Sequence, residues 1–370
     1  MAASKPDDIY AFVMLPGSDP DGKTIFSVLA KRRFKIEPKA VCKPVPEQSP
    51  LTQATRYYEK NDPMIGSIEI ETDLYPYKPL TDVVFTGKVY APAGKPATQC
   101  IASLRVGNHQ KTIAAFGERR CAFNSAGIPI FTNPAPFQSI DLRYERAYGG
   151  VDIHADPKVP MAYARNFIGT GFVVRNTKEA VDGLALPNFE DPQDLLTPQR
   201  LITGSIEKWH KQPMPAGLSW FGLGWYPRAS FAGVLPAYMP MYEELHEMTL
   251  GVVQKDQVEA QKKLKLPMLD FRLFNGASVG LAVPYLKGDE PIQLRNLEPS
   301  GELSFNLPGM TPVISIDWGK GPEKPPVVLH TVAIFGEQMV VDLVWRGAVI
   351  YDGRPDFVDM TRMDVIVGDA

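Results

Sequence analysis

The stretch Thr24 to Ile36, TIFSVLAKRRFKI, decides the fold class. Ile25, Val28, Ala30, Phe34 and Ile36 roughly alternate with polar positions, the period of a strand with one face buried, and Pro38 stops the pattern. The alternation slips near Lys31, where a bulge is expected. The same signal recurs along the first 123 residues. Ser67 to Thr72 reads as a short strand, and Asp82 to Ala91, with Val84 and Gly87 inside it, as a longer one that runs into the turn PAGKP at Pro92 to Pro96. Cys100 to Val106 and Lys111 to Phe116 make a hairpin across Gly107 and Asn108, two residues that tolerate positive φ. Irregular connections fall at Pro44, Pro46 and Pro50 and in the loop Tyr75 to Pro79.

From Asn124 to about Pro240 the period disappears. Glycine, proline, asparagine and tryptophan dominate, in NPAPF, GTGF, LPNFEDP and PAGLSW, which marks a long run of ordered loops with aromatic anchors, the kind of region that carries binding surfaces. Tyr242 to Leu264 reads as a helix that stops before Pro267 and is weakened at Gly251. Strands then return at Gln293 to Leu297, Glu302 to Leu307, Val313 to Trp318, Val327 to Phe335 and Met339 to Trp345. Proline occurs 35 times in 370 residues, well above the usual roughly 5%, and each internal proline removes a donor and clashes with the preceding turn, so long helices are excluded. The expected fold is mainly β. Two β-rich lobes, 1–123 and 267–370, form sandwich or barrel-like sheets, joined by a loop-rich region, 124–266, with one short helical segment near 242–264. An echo, TIAAFGE at Thr112 and TVAIFGE at Thr331, raises the question of two related β units.

Composition narrows the function classes. Hydrophobic residues are 44% and charged residues 22%, globular values that exclude wholesale disorder. Lys plus Arg (39) nearly balances Asp plus Glu (42), so no basic excess draws nucleic acid. No apolar run reaches the roughly 20 residues of a membrane helix, and the start MAASKPDDIY lacks a signal pattern, so a cytoplasmic location without a membrane span is expected. Cys42, Cys100 and Cys121 are odd in number and lack CxxC spacing, which fits reduced thiols.

Little in the sequence points to catalysis. His109, His154, His210, His246 and His330 are scattered without metal-ligand spacing, and no nucleophile elbow, phosphate loop or dinucleotide fingerprint is present. No metal and no cofactor are expected. FIGTGF at Phe167 to Phe172 has two glycines between phenylalanines and reads as a tight turn. Glu243 with Glu244 reads as solvated surface, and Glu190 to Pro192 as a capped turn. Glu145 with Asp152 or Glu190 is the pair a carbohydrate-active hydrolase would use, given two carboxyls at a fixed separation.

Two constellations remain. DLRYERAYGG, Asp141 to Gly150, packs four charges and two tyrosines ahead of a glycine pair. If it is a strand, Asp141, Arg143 and Glu145 share one face and Tyr144, Arg146 and Tyr148 the other. Neither face is cleanly apolar, so Asp141, Arg143, Glu145 and Arg146 are read as a buried or half-buried polar network, an internal salt-bridge girder, to which Asp73, Lys78 and Asp82 are added; a contact surface for another protein and a catalytic site are the other readings. The second is the aromatic run Trp209, Trp220, Phe221, Trp225, Tyr226 and Phe231 with Arg228. It is core beneath a loop, an exposed binding patch or a sugar platform. For the binding reading the candidates are Trp220, Trp225, Tyr226, Arg228 and Tyr238.

Several fragments occur together: VLAKRRFKI at Val28, EIETDLYPYKPLTDVVFTGKVYAPAG at Glu69, FGERR at Phe116, DLRYERAYGG at Asp141, IGTGF at Ile168 and LPNFEDP at Leu186. PAGLSWFGLGWYPRASFAG at Pro215, GDEPIQLRNLEPSGELSFNLPG at Gly288 and VDLVWRG at Val341 continue the series. In this order they resemble the bacterial family called domain of unknown function 2169, over nearly the whole chain. The resemblance implies a non-enzymatic adaptor or chaperone that stabilises a type VI secretion effector and helps load it onto a VgrG-type or PAAR-type spike, and it brings no catalytic residues. The chain departs from the family pattern in NGASVGLAVPYLKGDE from Asn275, at His330 in place of a usual aspartate, and across Glu207 to Ser219. Such departures bear on which cargo is bound.

Overall fold

The structure, a computed structural model, describes residues 3, 9–47, 49–156, 160–233, 270–317, 321–351 and 363–369. The helix expected over 242–264 and the candidate Tyr238 lie outside them.

The deciding stretch forms the strand Thr24–Lys35, and its neighbours explain its irregular pattern. It pairs on one side with Ala11–Ser18 and on the other with Val340–Ile350, in unbroken register from Ile25 opposite Ile350 to Lys35 opposite Val340. The bulge expected near Lys31 is absent. The alternation slips because both faces of the strand are covered and because Lys31 is a buried charge: its Nζ lies 3.0 Å from Asp73 Oδ2 and 3.4 Å from Asp342 Oδ2. A strand buried on both faces shows no clean polar period.

Around it, an open seven-stranded sheet runs in the order Ala11–Ser18, Thr24–Lys35, Val340–Ile350, Val327–Phe335, Thr81–Thr86, Ala282–Val283, with Lys43–Pro44 paired to Thr24–Lys35 off this path. Only Val327–Phe335 beside Thr81–Thr86 is parallel, Thr331 to Phe335 facing Asp82 to Thr86. The second sheet is antiparallel throughout, in the order Phe189–Glu190, His109–Phe116, Gln99–Val106, Pro291–Arg295, Glu302–Asn306. Its hairpin turns at Gly107 and Asn108 as expected, with Val106 opposite His109 and Gly107 at φ 53°. A three-stranded sheet adds Pro322–Glu323, Val313–Asp317 and Asp364–Gly368.

The fold is thus mainly β with open sheets and no closed barrel. Both large sheets take strands from both ends of the chain. Phe34 and Phe85 share one hydrophobic core with Leu104, Ile292, Phe305 and Trp345, each such side chain contributing about 1.5–3 kcal/mol by leaving water. The boundaries at 123 and 267 therefore divide strand-rich from loop-rich sequence and do not separate two sheets. The echoed Phe-Gly-Glu segments end strands in different sheets with different neighbours, so the likeness stops at the strand-to-turn junction.

The loop-rich region builds a core of its own from Tyr148, Tyr163, Phe172, Leu201, Trp209 and Tyr226. Among its described residues, regular structure is confined to short strands, 3-10 turns and the four-residue helix Lys178–Val181, capped by Thr177. Side chains supply what ladders do not: Asp152 accepts the backbone amides of His154, Ala155 and Val174 at 2.8–3.0 Å, and Asn166 donates to the carbonyls of Tyr144 and Tyr148. Thr170–Gly171 of FIGTGF pairs with Tyr148–Gly149, which makes the segment a packed turn. All three cysteines are buried and free of disulfides.

Candidate functional site

The aromatic run does not form a surface. Trp220, Trp225, Tyr226 and Arg228 are only 2%, 4%, 7% and 3% exposed, which corrects the reading of these four as contact residues. Trp225 stands edge-on to Tyr144 at 5.2 Å and to Phe221 at 5.3 Å. Arg228 is fully engaged, donating to Glu71 Oε1 at 2.5 Å, to the Phe221 carbonyl at 2.7 Å and to the Leu273 carbonyl at 2.9 Å.

The second buried pair is Lys78 with Asp82, at 2.8 Å. Asp82 also accepts from the Asn275 side chain and from the backbone amides of Gly276 and Ala277, each at 3.1 Å. Lys31 with Asp73 and Asp342, and Arg33 with Asp342, form a further set of ion pairs, so Asp73, Lys78 and Asp82 are paired with residues other than Asp141, Arg143, Glu145 and Arg146, with which the sequence groups them.

The block Asp141 to Gly150 is not one strand. It is a short strand ending at Asp141, a 3-10 turn at Tyr144–Arg146 and a second short strand at Tyr148–Gly149. Tyr144 and Tyr148 point into the interior, while the four charges are half-buried and pair with residues from other segments. Glu145 accepts from the Ser67 amide and hydroxyl at 2.8 and 2.7 Å, Arg146 reaches Glu118 and Asn188 at 3.2 Å, and Asp141 faces Lys88 at 3.9 Å. Arg143 lies over the Tyr58 ring, 4.0 Å from its centroid, and reaches Glu59 at 3.4 Å.

This block forms one wall of a charged surface cleft. Four strands of the large sheet finish together, with Lys35 opposite Val340, Phe335 opposite Val340 and Thr86 opposite Phe335. Past that end lies a cleft of about 280 Å³ walled by Arg33, Arg56, Arg143, Glu69, Asp141 and Glu337, with Tyr58 and Phe335 among the rings. Three guanidinium groups thus face three carboxylates. Arg33 is fixed by two hydrogen bonds to Asp342, at 2.6 and 2.8 Å, Arg56 meets Glu69 at 3.4 Å, and Glu337 holds Lys88 at 2.8 Å. Beside the cleft, the paired strands Arg56–Tyr57 and Ile68–Ile70 carry a tip on which Met64 is 66% and Ile65 48% exposed.

Sequence reading finds Asp141 and Arg143 but misses Arg33, Arg56, Glu69, Glu337, Met64 and Ile65. Arg33 alone has a local signal, a charge near the end of a strand; the others become neighbours only when distant segments meet. The carboxylates considered for sugar hydrolysis are each committed elsewhere: Glu145 to Ser67, Asp152 to three amides, and Glu190 to Arg119 and the Leu196 amide.

Residues 21–346 match a family model described as "uncharacterized protein conserved in bacteria (DUF2169)". No curated protein and no solved structure matches the chain. Among the described residues, no helix is long and apolar enough to cross a membrane, and no group of three or more His, Cys, Asp or Glu side chains is placed to hold a metal ion.

Proposed function

Because the chain belongs to the bacterial family DUF2169 and carries a surface cleft of paired charges, we propose that it works by binding another polypeptide. On this reading it is an adaptor or chaperone that holds a type VI secretion effector in the cytoplasm and helps load it onto a VgrG-type or PAAR-type spike. The cleft carries the reading. Charges of both signs fixed at the end of a sheet give register and selectivity to a docked chain, and the exposed Met64 and Ile65 beside it offer apolar area for burial. Nucleic acid favours a single positive sign, whereas this cleft is balanced. A sugar platform needs exposed rings, and the aromatic run is buried.

The test is co-purification with the effector encoded beside it. Wild-type protein is expected to pull the effector down and to raise its level in cells, because binding the folded cargo protects it by mass action. Arg143→Glu combined with Met64→Asp is expected to weaken the complex roughly tenfold while leaving the thermal unfolding curve in place. An unchanged effector level on deletion, together with no recovered complex, would overturn the reading.

A further inference from the structure

The outward face of the five-stranded sheet has chemistry of its own. Along Gln99–Val106, Pro291–Arg295 and Glu302–Asn306, every second residue is buried and those between are exposed or half-buried. The register aligns Gln110, Arg105, Gln293 and Ser304 in one row across four strands, with Arg295 opposite Glu302 in the next. A rim is raised along one edge: the Lys39 amide donates to the Ser304 carbonyl at 2.6 Å and the Cys42 amide to the Asn306 carbonyl at 2.9 Å. Lys39 is held there at φ 58°, a left-handed backbone uncommon for a side-chain-bearing residue. Floor and rim enclose a groove of about 370 Å³, which continues past Arg105 and Gln293 toward His109.

The groove is cationic in a chain whose formal net charge is -3. Lys39, Arg105 and Arg295 outnumber the carboxylates, Glu302 and, where the groove continues past Arg105, Glu290, and among the described residues none of the three cations makes an ion pair. Arg105 Nε donates to the nearby Gly107 carbonyl, at 3.0 Å. We propose that this face is a second docking surface, separate from the cleft, and that its occupant is an acidic, extended segment of a partner polypeptide. The cations take the segment's carboxylates. The side-chain amides of Gln110 and Gln293, which both donate and accept, suit the backbone of a chain laid across the strands. Nucleic acid fits less well, because Glu302, and Glu290 where the groove continues past Arg105, would repel phosphate.

A fluorescent oligo-glutamate peptide serves as the probe, followed by anisotropy at low and high salt. Wild-type protein is expected to bind it in a salt-sensitive manner, with affinity falling roughly tenfold in the Arg105→Glu, Arg295→Glu double variant and unchanged in Arg56→Glu of the cleft. If the double variant loses its folded circular dichroism signal, Lys39→Glu on the rim replaces it and is expected to weaken binding in the same direction. No binding by wild type, equal binding by the variants, or tighter binding of a single-stranded oligonucleotide of matching charge overturns the proposal. Neither result depends on recovering the effector complex, so the two readings fail separately.

Discussion

Glu71 and Arg228 show how much one buried contact controls. Both are removed from water, the Tyr75 hydroxyl donates to the same carboxylate at 3.1 Å, and a Cβ placed on Gly276 would sit 1.6 Å from Glu71 Oε2. Glu71→Ala leaves the guanidinium buried and unpaired, so it should lower unfolding free energy by about 3–5 kcal/mol, and Gly276→Ala should also destabilise by forcing that pair apart; urea denaturation measures both. His330 makes a different prediction. Burial, then the nearby charges of Lys78 and Arg346, hold its pKa well below the ordinary value, and the Lys78 amide meets its Nε2 at 3.4 Å. The folded protein thus keeps this ring neutral where the unfolded chain protonates it. Stability contributed this way is present above about pH 6.5 and is lost on acidification below it, by roughly 1.4 kcal/mol per pH unit. His330→Gln should flatten the slope of unfolding free energy between pH 6.5 and 5 even if it lowers the absolute value, and an unaltered slope would remove the assignment.

At the scale of elements, the Thr24–Lys35 strand makes the matching case for ionic links. Lys31→Met keeps much of the side-chain volume but strips Asp73 and Asp342 of a shared buried cation, so a loss of about 3 kcal/mol is expected by chemical denaturation. The same strand shows what sequence can and cannot convey. Its existence is legible from Ile25, Val28, Phe34 and the stop at Pro38, because apolar spacing is a local property. The reason for the slip at Lys31 is not legible, since Asp73 and Asp342 approach from segments 42 and more than 300 positions away. Val327–Phe335 and the hairpin at Gly107 are readable for the first reason. The aromatic run fails for the second: Trp220, Trp225 and Tyr226 have the composition of a contact patch, and only the sheet core around Trp220, Tyr144 against Trp225, and Tyr163 in one core with Tyr226 reveal that they are buried. The cleft is the extreme case, as its charged groups come from five separate stretches of chain.

For the whole molecule, the interleaving of the two chain ends in both large sheets sets a condition on folding. The seven-stranded sheet holds Val327–Phe335 and Val340–Ile350 at its centre, between Thr24–Lys35 and Thr81–Thr86, so residues 1–233 alone would expose the inner edges of two strands that are buried in the full protein. The five-stranded sheet would lose Pro291–Arg295 and Glu302–Asn306 in the same fragment. Open apolar edges of this kind recruit other chains. Residues 1–233 and 270–370, expressed separately, are therefore expected to be aggregated or unfolded, and the full chain to unfold in one transition followed coincidently by far-ultraviolet circular dichroism and tryptophan fluorescence. Co-expression is the discriminating arm: if the sheets form only from both ends together, the fragments should co-purify as a complex with the circular dichroism spectrum of the intact protein. Two soluble, independently folded fragments, or two resolved transitions in the full chain, would mean that the ends fold apart and that the shared core of Phe34, Leu104, Phe305 and Trp345 does not govern stability.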